Sequence, residues 1–279
     1  MKKYIALMLA LLMAFAVCAC GSSGDDADAA EDVQLKILDS EYVTEDYAIA
    51  VAKESEDLLA KIDAALQELI DDGTVAQVTA YYISGEGELP AFQQEVADDA
   101  EVLTMGTNAA FPPYEFVEDN VVVGIDATVA GLIADKLGMK LEIQDMEFDS
   151  IIPAVTSGKV DMGMAGMTVT DERLESVNFS ISYATGIQVI VVPTDSDVTS
   201  ADDIVTKIEG GEDFQIGCQN ATTGFIYASD TVENGGFGED HVQAFPKGAD
   251  AIAALTSGKI DCVIIDNEPA KAFVEANNG

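Results

Sequence analysis

Residues Ile152 to Arg173 read IPAVTSGKVDMGMAGMTVTDER, and one hundred residues later Ile252 to Asp266 read IAALTSGKIDCVIID. Ile, Ala, Thr, Ser, Gly, Lys and Asp recur at matching places, so we read one structural unit used twice. In each copy an apolar helix end (Ile152 to Val155, Ile252 to Leu255) runs into Ser-Gly-Lys, where glycine suits a left-handed helix stop. The apolar runs Val160 to Ala165 and Ile260 to Ile265 are too short for helices and predict strands buried on both faces of a parallel sheet. The copies end differently, in Gly166-Met167-Thr168 and in Asp266-Asn267-Glu268. Ligands of open α/β sheets sit outside the carboxyl ends of the strands, so two lobes face to face would converge both endings on one cleft. A helix-turn-strand unit repeated for packing alone is the competing reading.

After the first copy, Thr170 is placed to cap a helix whose first turn holds Asp171, Glu172 and Arg173. An arginine at that point presents a planar fork of donors that matches a carboxylate; a surface ion pair with Glu172 or Glu175 is the alternative. Ile187 to Val192 predicts a strand, and the Pro193-Thr-Asp-Ser-Asp run marks a crossing into a second lobe. Phe214 to Cys218 predicts a strand delivering Gln219-Asn-Ala-Thr-Thr-Gly224, where backbone N–H groups at a helix start favour an anion. Val242 to Phe245 and a helix from Asp250 to Thr256 lead into the second copy.

Upstream, a strand at Val102 to Gly106 opens into the loop Thr107 to Phe116, stiffened by Pro112 and Pro113. Its Phe111 and Tyr114 fit either a ligand wall or the core. Asp126 is placed to cap a helix with the stripe Val129, Leu132, Ile133, Lys136 and Leu137, stopped by Gly138, and Lys140 to Gln144 is the next strand. Phe148 then begins the helix of the first copy. Further upstream, Gln34 to Leu38 and Tyr47 to Ala52 predict strands. Leu58, Leu59, Ile62, Leu66, Leu69 and Ile70 give one apolar face to a helix from about Ser55 to Asp71, stopped by Gly73. A shorter helix covers Val75 to Tyr82, and Gly85 to Asp98 lacks periodicity and predicts a linker.

The 279 residues leave room for one large or two ordinary domains. MKKYIALMLALLMAFAVCAC has the two lysines and short apolar run of a secretory signal, since a membrane span needs roughly 20 apolar residues. Its Val17-Cys18-Ala19-Cys20 ending resembles a bacterial lipobox, which implies cleavage after residue 19 and a lipid on Cys20. Residues 20–31 then form a polar, acidic tether. The formal net charge of −38 argues against nucleic-acid binding. The single histidine, His241, and the absence of any spaced Cys/His cluster argue against a transition-metal site, and no cofactor is expected. Cys218 and Cys262 each lie in an apolar run and fit buried thiols or a disulfide between neighbouring strands.

GTNAAFPPYEF, SGKVDMGMAGMTVTDER, the Ala221-Thr-Thr-Gly224 loop and VIIDNEPA together resemble the family 3 extracellular solute-binding proteins, the polar amino-acid receptors of ABC importers. The resemblance runs over Glu101 to Gly279 and implies an α/β, two-lobed fold of the type II periplasmic-binding-protein kind with hinge strands. The order departs from the family, whose tail after VIIDNEPAKAF stands here at the front as Gln34 to Tyr82. A circular permutant is therefore expected: residues 32–84 are the displaced C-terminal part, 85–100 join the old ends, 101–188 form lobe 1 and 189–279 lobe 2. The displaced piece gives lobe 2 about Val33 to Val43 and lobe 1 about Thr44 to Tyr82. Hinge strands are expected at Gly186 to Val192 and Tyr47 to Val51. A truncated second copy of a tandem receptor, with the leading piece as debris, is the rival account.

By resemblance, Arg173 grips the ligand α-carboxylate with backbone N–H groups of Thr168 and of Thr222 or Thr223. The α-ammonium meets the Gly166 carbonyl, the Thr168 hydroxyl and Asp266. Phe111 and Phe148 flank the side chain, and Asn108, Tyr114 and Gln219 read its tip, the amide of Asn108 standing where relatives often carry an acid. The implied function is capture of a polar amino acid outside the membrane, hinge closure, and delivery to the permease and ATPase of an importer by a lipid-anchored, non-enzymatic monomer. The same fold hosts cyclohexadienyl dehydratases, in which a carboxylate such as Asp266 could serve as acid or base. A tethered sensor is the third reading.

Overall fold

The strands that close the two repeat copies lie in different sheets. The computed structural model describes residues 33–39, 41–92, 96–97 and 99–279; the expected signal, tether and Cys20 lie outside the described residues. The leading part contains β1 (Leu35–Ile37), β2 (Val43–Tyr47), β3 (Ala50–Ala52), α1 (Glu56–Asp71) and α2 (Thr74–Ser84). Then follow β4 (Val102–Thr107), β5 (Ala110–Phe111), β6 (Glu115–Glu118), β7 (Val121–Val123), α3 (Ile125–Leu137) and β8 (Lys140–Asp145). The first copy supplies α4 (Ile151–Thr156) and β9 (Met162–Gly163), followed by α5 (Asp171–Ser176), β10 (Val177–Phe179) and β11 (Ala184–Pro193). The second lobe continues with α6 (Ala201–Glu209), β12 (Ile216–Gln219), α7 (Thr223–Ser229), β13 (Val242–Phe245), α8 (Gly248–Thr256), β14 (Cys262–Asp266) and α9 (Asn267–Asn278).

The lobe 1 sheet has the order β10-β3-β9-β4-β8 and the lobe 2 sheet β1-β11-β14-β12-β13, with β2 also on β11. Both are mixed, not purely parallel as the apolar runs suggested. β9 is parallel to β4 but antiparallel to β3, and β14 is parallel to β12 but antiparallel to β11. The antiparallel partners come from the leading segment and the crossing strand, which local sequence does not reveal. β9 is also shorter than its apolar run, because the chain leaves the sheet toward Gly166, at φ +51°.

Within each copy the predicted local chemistry is present. Gly158 and Gly258 stop α4 and α8 at φ +70° and +68°. The aspartate two residues after the lysine ties its copy to the neighbouring strand. Asp161 accepts from the Thr104 N–H (2.7 Å) and hydroxyl (2.6 Å), and Asp261 accepts from the Gln215 N–H (2.7 Å). The packing reading of the repeat therefore holds for its shared residues.

The predicted strand Tyr47 to Ala52 is broken at Ala48 and Ile49, because the chain changes sheets there: β2 pairs with β11, and β3 sits between β10 and β9. β11 spans the same gap, pairing through Ala184–Gln188 with β2 and through Gln188–Val191 with β14. These two passages join the lobes. Asp126 does not cap α3; Gly124 holds the capping position, while the Asp126 side chain turns inward.

The leading segment is built into both sheets. β3 lies inside the lobe 1 sheet, and α1 buries Ile62, Ala65, Leu66 and Leu69 while packing with α2 and α3. At the other end, the Asn278 side chain accepts from the Leu35 N–H (2.9 Å) and donates to its carbonyl (2.8 Å), pinning α9 to β1. In the expected linker, Phe92 packs against Gly131 of α3, where a Cβ would stand 2.2 Å from the ring. Cys218 and Cys262 are buried free thiols.

Candidate ligand-binding site

Thr170 caps α5 as predicted, its hydroxyl accepting from the Arg173 N–H (3.2 Å). That geometry sets Arg173 on the first turn, aimed into the cleft. Its Nη1 donates to the Thr168 carbonyl of lobe 1 (2.7 Å) and its Nη2 to the Ala221 carbonyl of lobe 2 (3.0 Å). The guanidinium carbon stands 5.4 Å from the Phe148 ring centroid, a cation–π distance. Arg173 is 7% exposed, and burial pushes its pKa down, opposed by Glu45, Tyr227, Glu172 and Asp266. The described ion pairs do not include Arg173, so the surface-pair alternative is set aside. The fork carries more donors than two carbonyls use.

Asp266 closes β14 and meets the same cavity from lobe 2, 7% exposed. The Tyr47 hydroxyl donates to it across the hinge. Burial, and then the charge of Glu45, pushes its pKa up to about 7. Glu45 on β2 is itself buried and accepts from the Thr168 hydroxyl (3.1 Å) and the Gln188 amide (3.0 Å). Tyr47 reaches Asp266 by lying over Gly186, where any Cβ would stand 2.2 Å from the hydroxyl.

A cavity is lined by Asn108, Phe111, Phe148, Gly166, Thr168, Arg173, Gln219, Thr222, Thr223 and Asp266, together with Glu115 and Ala165. All but one of the residues expected there from sequence come together. Tyr114 does not line it; this ring packs behind Phe111 (centroids 5.9 Å) and edge-on to Tyr47 (5.2 Å). Asn108 and Gln219 face each other across the cleft, the Gln219 amide donating to the Asn108 carbonyl oxygen (3.0 Å) while the Asn108 amide donates to the Met146 carbonyl (2.8 Å). Asn220 adds a further bond between lobes, donating to Asp149 (3.0 Å).

Sequence reading missed Glu115, Glu45, Tyr47 and Asp126. Glu115 follows the aromatic pair of the Pro-Pro loop in a β-hairpin, and nothing in its local pattern separates it from a solvated strand acid. It is 1% exposed. Asp126, fully buried, accepts from the Gly166 N–H (2.8 Å) and the Tyr183 hydroxyl (2.9 Å), which holds the left-handed Gly166 against the cleft.

The cavity thus carries a cationic fork with donors to spare at one place and a buried carboxyl group at another, supplied by both lobes. A zwitterion is the small molecule whose two charges both find partners there; an uncompensated charge would carry its desolvation cost. Among the described residues no three His, Cys, Asp or Glu side chains are placed to hold a metal, and no helix is long and apolar enough to cross a membrane.

The sequence profile of the bacterial extracellular solute-binding proteins, family 3, matches residues 103–249. The arginine-binding extracellular protein ArtP of Bacillus subtilis (strain 168) is 34% identical over 176 residues, 63% of this chain and 65% of ArtP. The chain thus spans just under two thirds of that relative's length. The arginine-bound form of a truncated arginine-binding protein from T. maritima superposes with a TM-score of 0.56 at 38% identity, covering 63% of this chain and 78% of that one. An ancestral arginine-binding protein, solved once with glutamine and once with arginine, gives 0.56 at 38% identity, over 63% of this chain and 74% of that one.

Proposed function

Because the chain belongs to family 3 of the bacterial extracellular solute-binding proteins, we propose that it captures a polar amino acid between its lobes and delivers it to an ABC-type importer. The observation that carries this reading is Arg173, buried without a carboxylate partner among the described residues and opening on a cavity that also holds Asp266. The ligand carboxylate lies on Arg173, helped by N–H groups of Thr168 and of Thr222 or Thr223. Its ammonium lies against the Gly166 carbonyl, the Thr168 hydroxyl and Asp266. Its side chain runs between Phe111 and Phe148 toward Asn108 and Gln219. The names of the relatives put arginine first among candidates and histidine beside it, and the ancestral arginine-binding protein solved with glutamine adds an amide-tipped candidate. We read the protein as a receptor and not a dehydratase, since the relatives it resembles are named as binding proteins.

We further infer that Cys20 carries the lipid anchor outside the cytoplasmic membrane, that the receptor works as a monomer, and that its segment order is a circular permutation with the lobes divided as the sequence suggests. The integration of β1, β2, β3, α1 and α2 into both lobes supports the last point, as does the contact of Asn278 with Leu35. Permutation is tolerated where joined ends lie close together at the surface.

Titration calorimetry of residues 21–279 against each common amino acid tests the function. One-to-one binding of one or a few polar amino acids is expected. A cooperatively folding protein that binds none would sink the receptor reading, and turnover of prephenate or arogenate would replace it with the enzyme. A reordered chain, residues 101–279 followed by 33–84, should bind the same ligand; failure of a folded reordered chain to do so would remove the permutation.

A further inference from the structure

Glu115 lines the cavity, yet among the described residues no N–H or O–H donor reaches either of its carboxyl oxygens. Its neighbour Asp126 accepts on Oδ2, and among the described residues Oδ1 has no donor. Two carboxylates in this position would be two buried like charges without a cation between them, an arrangement that proteins relieve by keeping a proton. A proton on Glu115 makes it a donor to Asp126, which relieves the like-charge contact and leaves the other Glu115 oxygen free toward the cavity.

The other ionisable groups that face Glu115 push the same way. Asp266 from β14 and Asp145 from the end of β8 are acids, as is Asp126 from α3. Tyr183, ahead of β11, donates to Asp126, and Tyr114 precedes Glu115 in the loop. Arg173 is the basic residue among those lining the cavity, and its fork is turned to the Thr168 and Ala221 carbonyls. Burial, with Asp126 second, pushes Glu115 well above the usual carboxylate range, and burial lifts Asp126 to about 6.

We propose that Glu115 and Asp126 share one proton in the ligand-free protein, and that keeping or releasing it lets one cavity take either an amide-tipped or a guanidinium-tipped amino acid. When the tip is an amide, Glu115 stays protonated, donates to Asp126 and offers its free oxygen to the amide N–H. When the tip is a guanidinium, the Glu115 O–H bond breaks, the proton passes to bulk buffer, and the carboxylate left behind pairs with the cation. Binding of a basic ligand is therefore coupled to proton release, and binding of an amide ligand through this group is not. The proposal rests on the receptor reading above and adds to it what sets the choice of ligand.

The test is calorimetry of the whole protein with L-arginine and with L-glutamine, from about pH 5.5 to about pH 8.5, in buffers of different ionisation heat. Arginine binding should release close to one proton at the acid end, and its affinity should rise by up to about tenfold per pH unit there relative to that of glutamine. Asp266 meets the ammonium of both ligands, so its own titration cancels in the ratio. Glu115→Gln, which has no proton to release, should make the arginine-to-glutamine ratio flat in pH. Asp126→Asn, which removes the like charge and keeps Glu115, should shift the rise to lower pH. A wild-type ratio flat in pH, with both ligands bound, overturns this proposal alone. Binding of neither ligand at any pH overturns the receptor reading and this proposal with it. Should Glu115→Gln fail to fold, the wild-type proton count and the Asp126→Asn shift decide.

Discussion

The two copies of the repeated stretch fold alike through Ser-Gly-Lys and the aspartate beyond it, then part. In the first, the strand gives out after Met162 and Gly163, and the chain turns through left-handed Gly166 to Thr168 and the short helix that carries Arg173. In the second, the strand runs five residues to Asp266 and passes straight into α9. What the copies share is spent on packing: a glycine helix stop and an aspartate bonded to the next strand. What they do not share faces the cavity. A repeat thus marks where a site is built, while its departures say what the site binds.

The largest effect should come from the unshared ends. Arg173→Ala should cost about 2–5 kcal/mol of ligand binding by leaving a carboxylate unpaired in a closed cavity, read by calorimetry with unfolding unchanged. Asp266→Asn, which keeps shape and loses charge, should cost roughly 1.5–3 kcal/mol, the range of charge-assisted bonds. Wild-type affinity in either variant would break the division between shared packing and unshared chemistry.

The shared aspartates should do the reverse. Asp161→Ala leaves the Thr104 N–H and hydroxyl without their acceptor and should lower stability by about 1–3 kcal/mol, seen in denaturant melts, while the folded fraction binds ligand normally. Asp261→Ala removes one bond at an exposed site and should cost less. Equal losses would mean that burial at the two sites does not matter. Smallest of all, Gly158→Ala and Gly258→Ala should each cost about 1 kcal/mol, and by the same amount. Both have left-handed φ, and among the described residues no atom stands within 4 Å of an added Cβ, so the penalty is backbone strain. A large difference between them would show that the copies are not equivalent even where they look alike.

Much of the molecule was legible from short-range pattern. The apolar stripe of α1 ends where Asp71 was expected to end it, Thr170 caps the helix that bears Arg173, and Val242 to Phe245 is a strand at its predicted bounds. Each rests on a periodicity or a capping rule that acts within a few residues. Asn108, Gln219, Phe111 and Phe148 came by resemblance to known relatives and do line one cavity. Tyr114 is the miss on that side: aromatic residues three apart in a proline-rich loop look alike, and only packing against Tyr47 makes one a wall of the cavity and the other its support.

The sequence by itself determined the two-sheet repeat, the helix stops, the acid-rich charge, and which strand ends carry Arg173 and Asp266, because these follow from spacing along the chain. Only the tertiary structure decided that Glu45 and Tyr47, from the far end of the chain, stand under Thr168 and Asp266, and that Glu115 and Asp126 meet without a cation between them. The physical reason is burial. An acid on a strand is indistinguishable from a solvated one until its neighbours are in place, and the shift in its proton affinity belongs to the company it keeps across the fold.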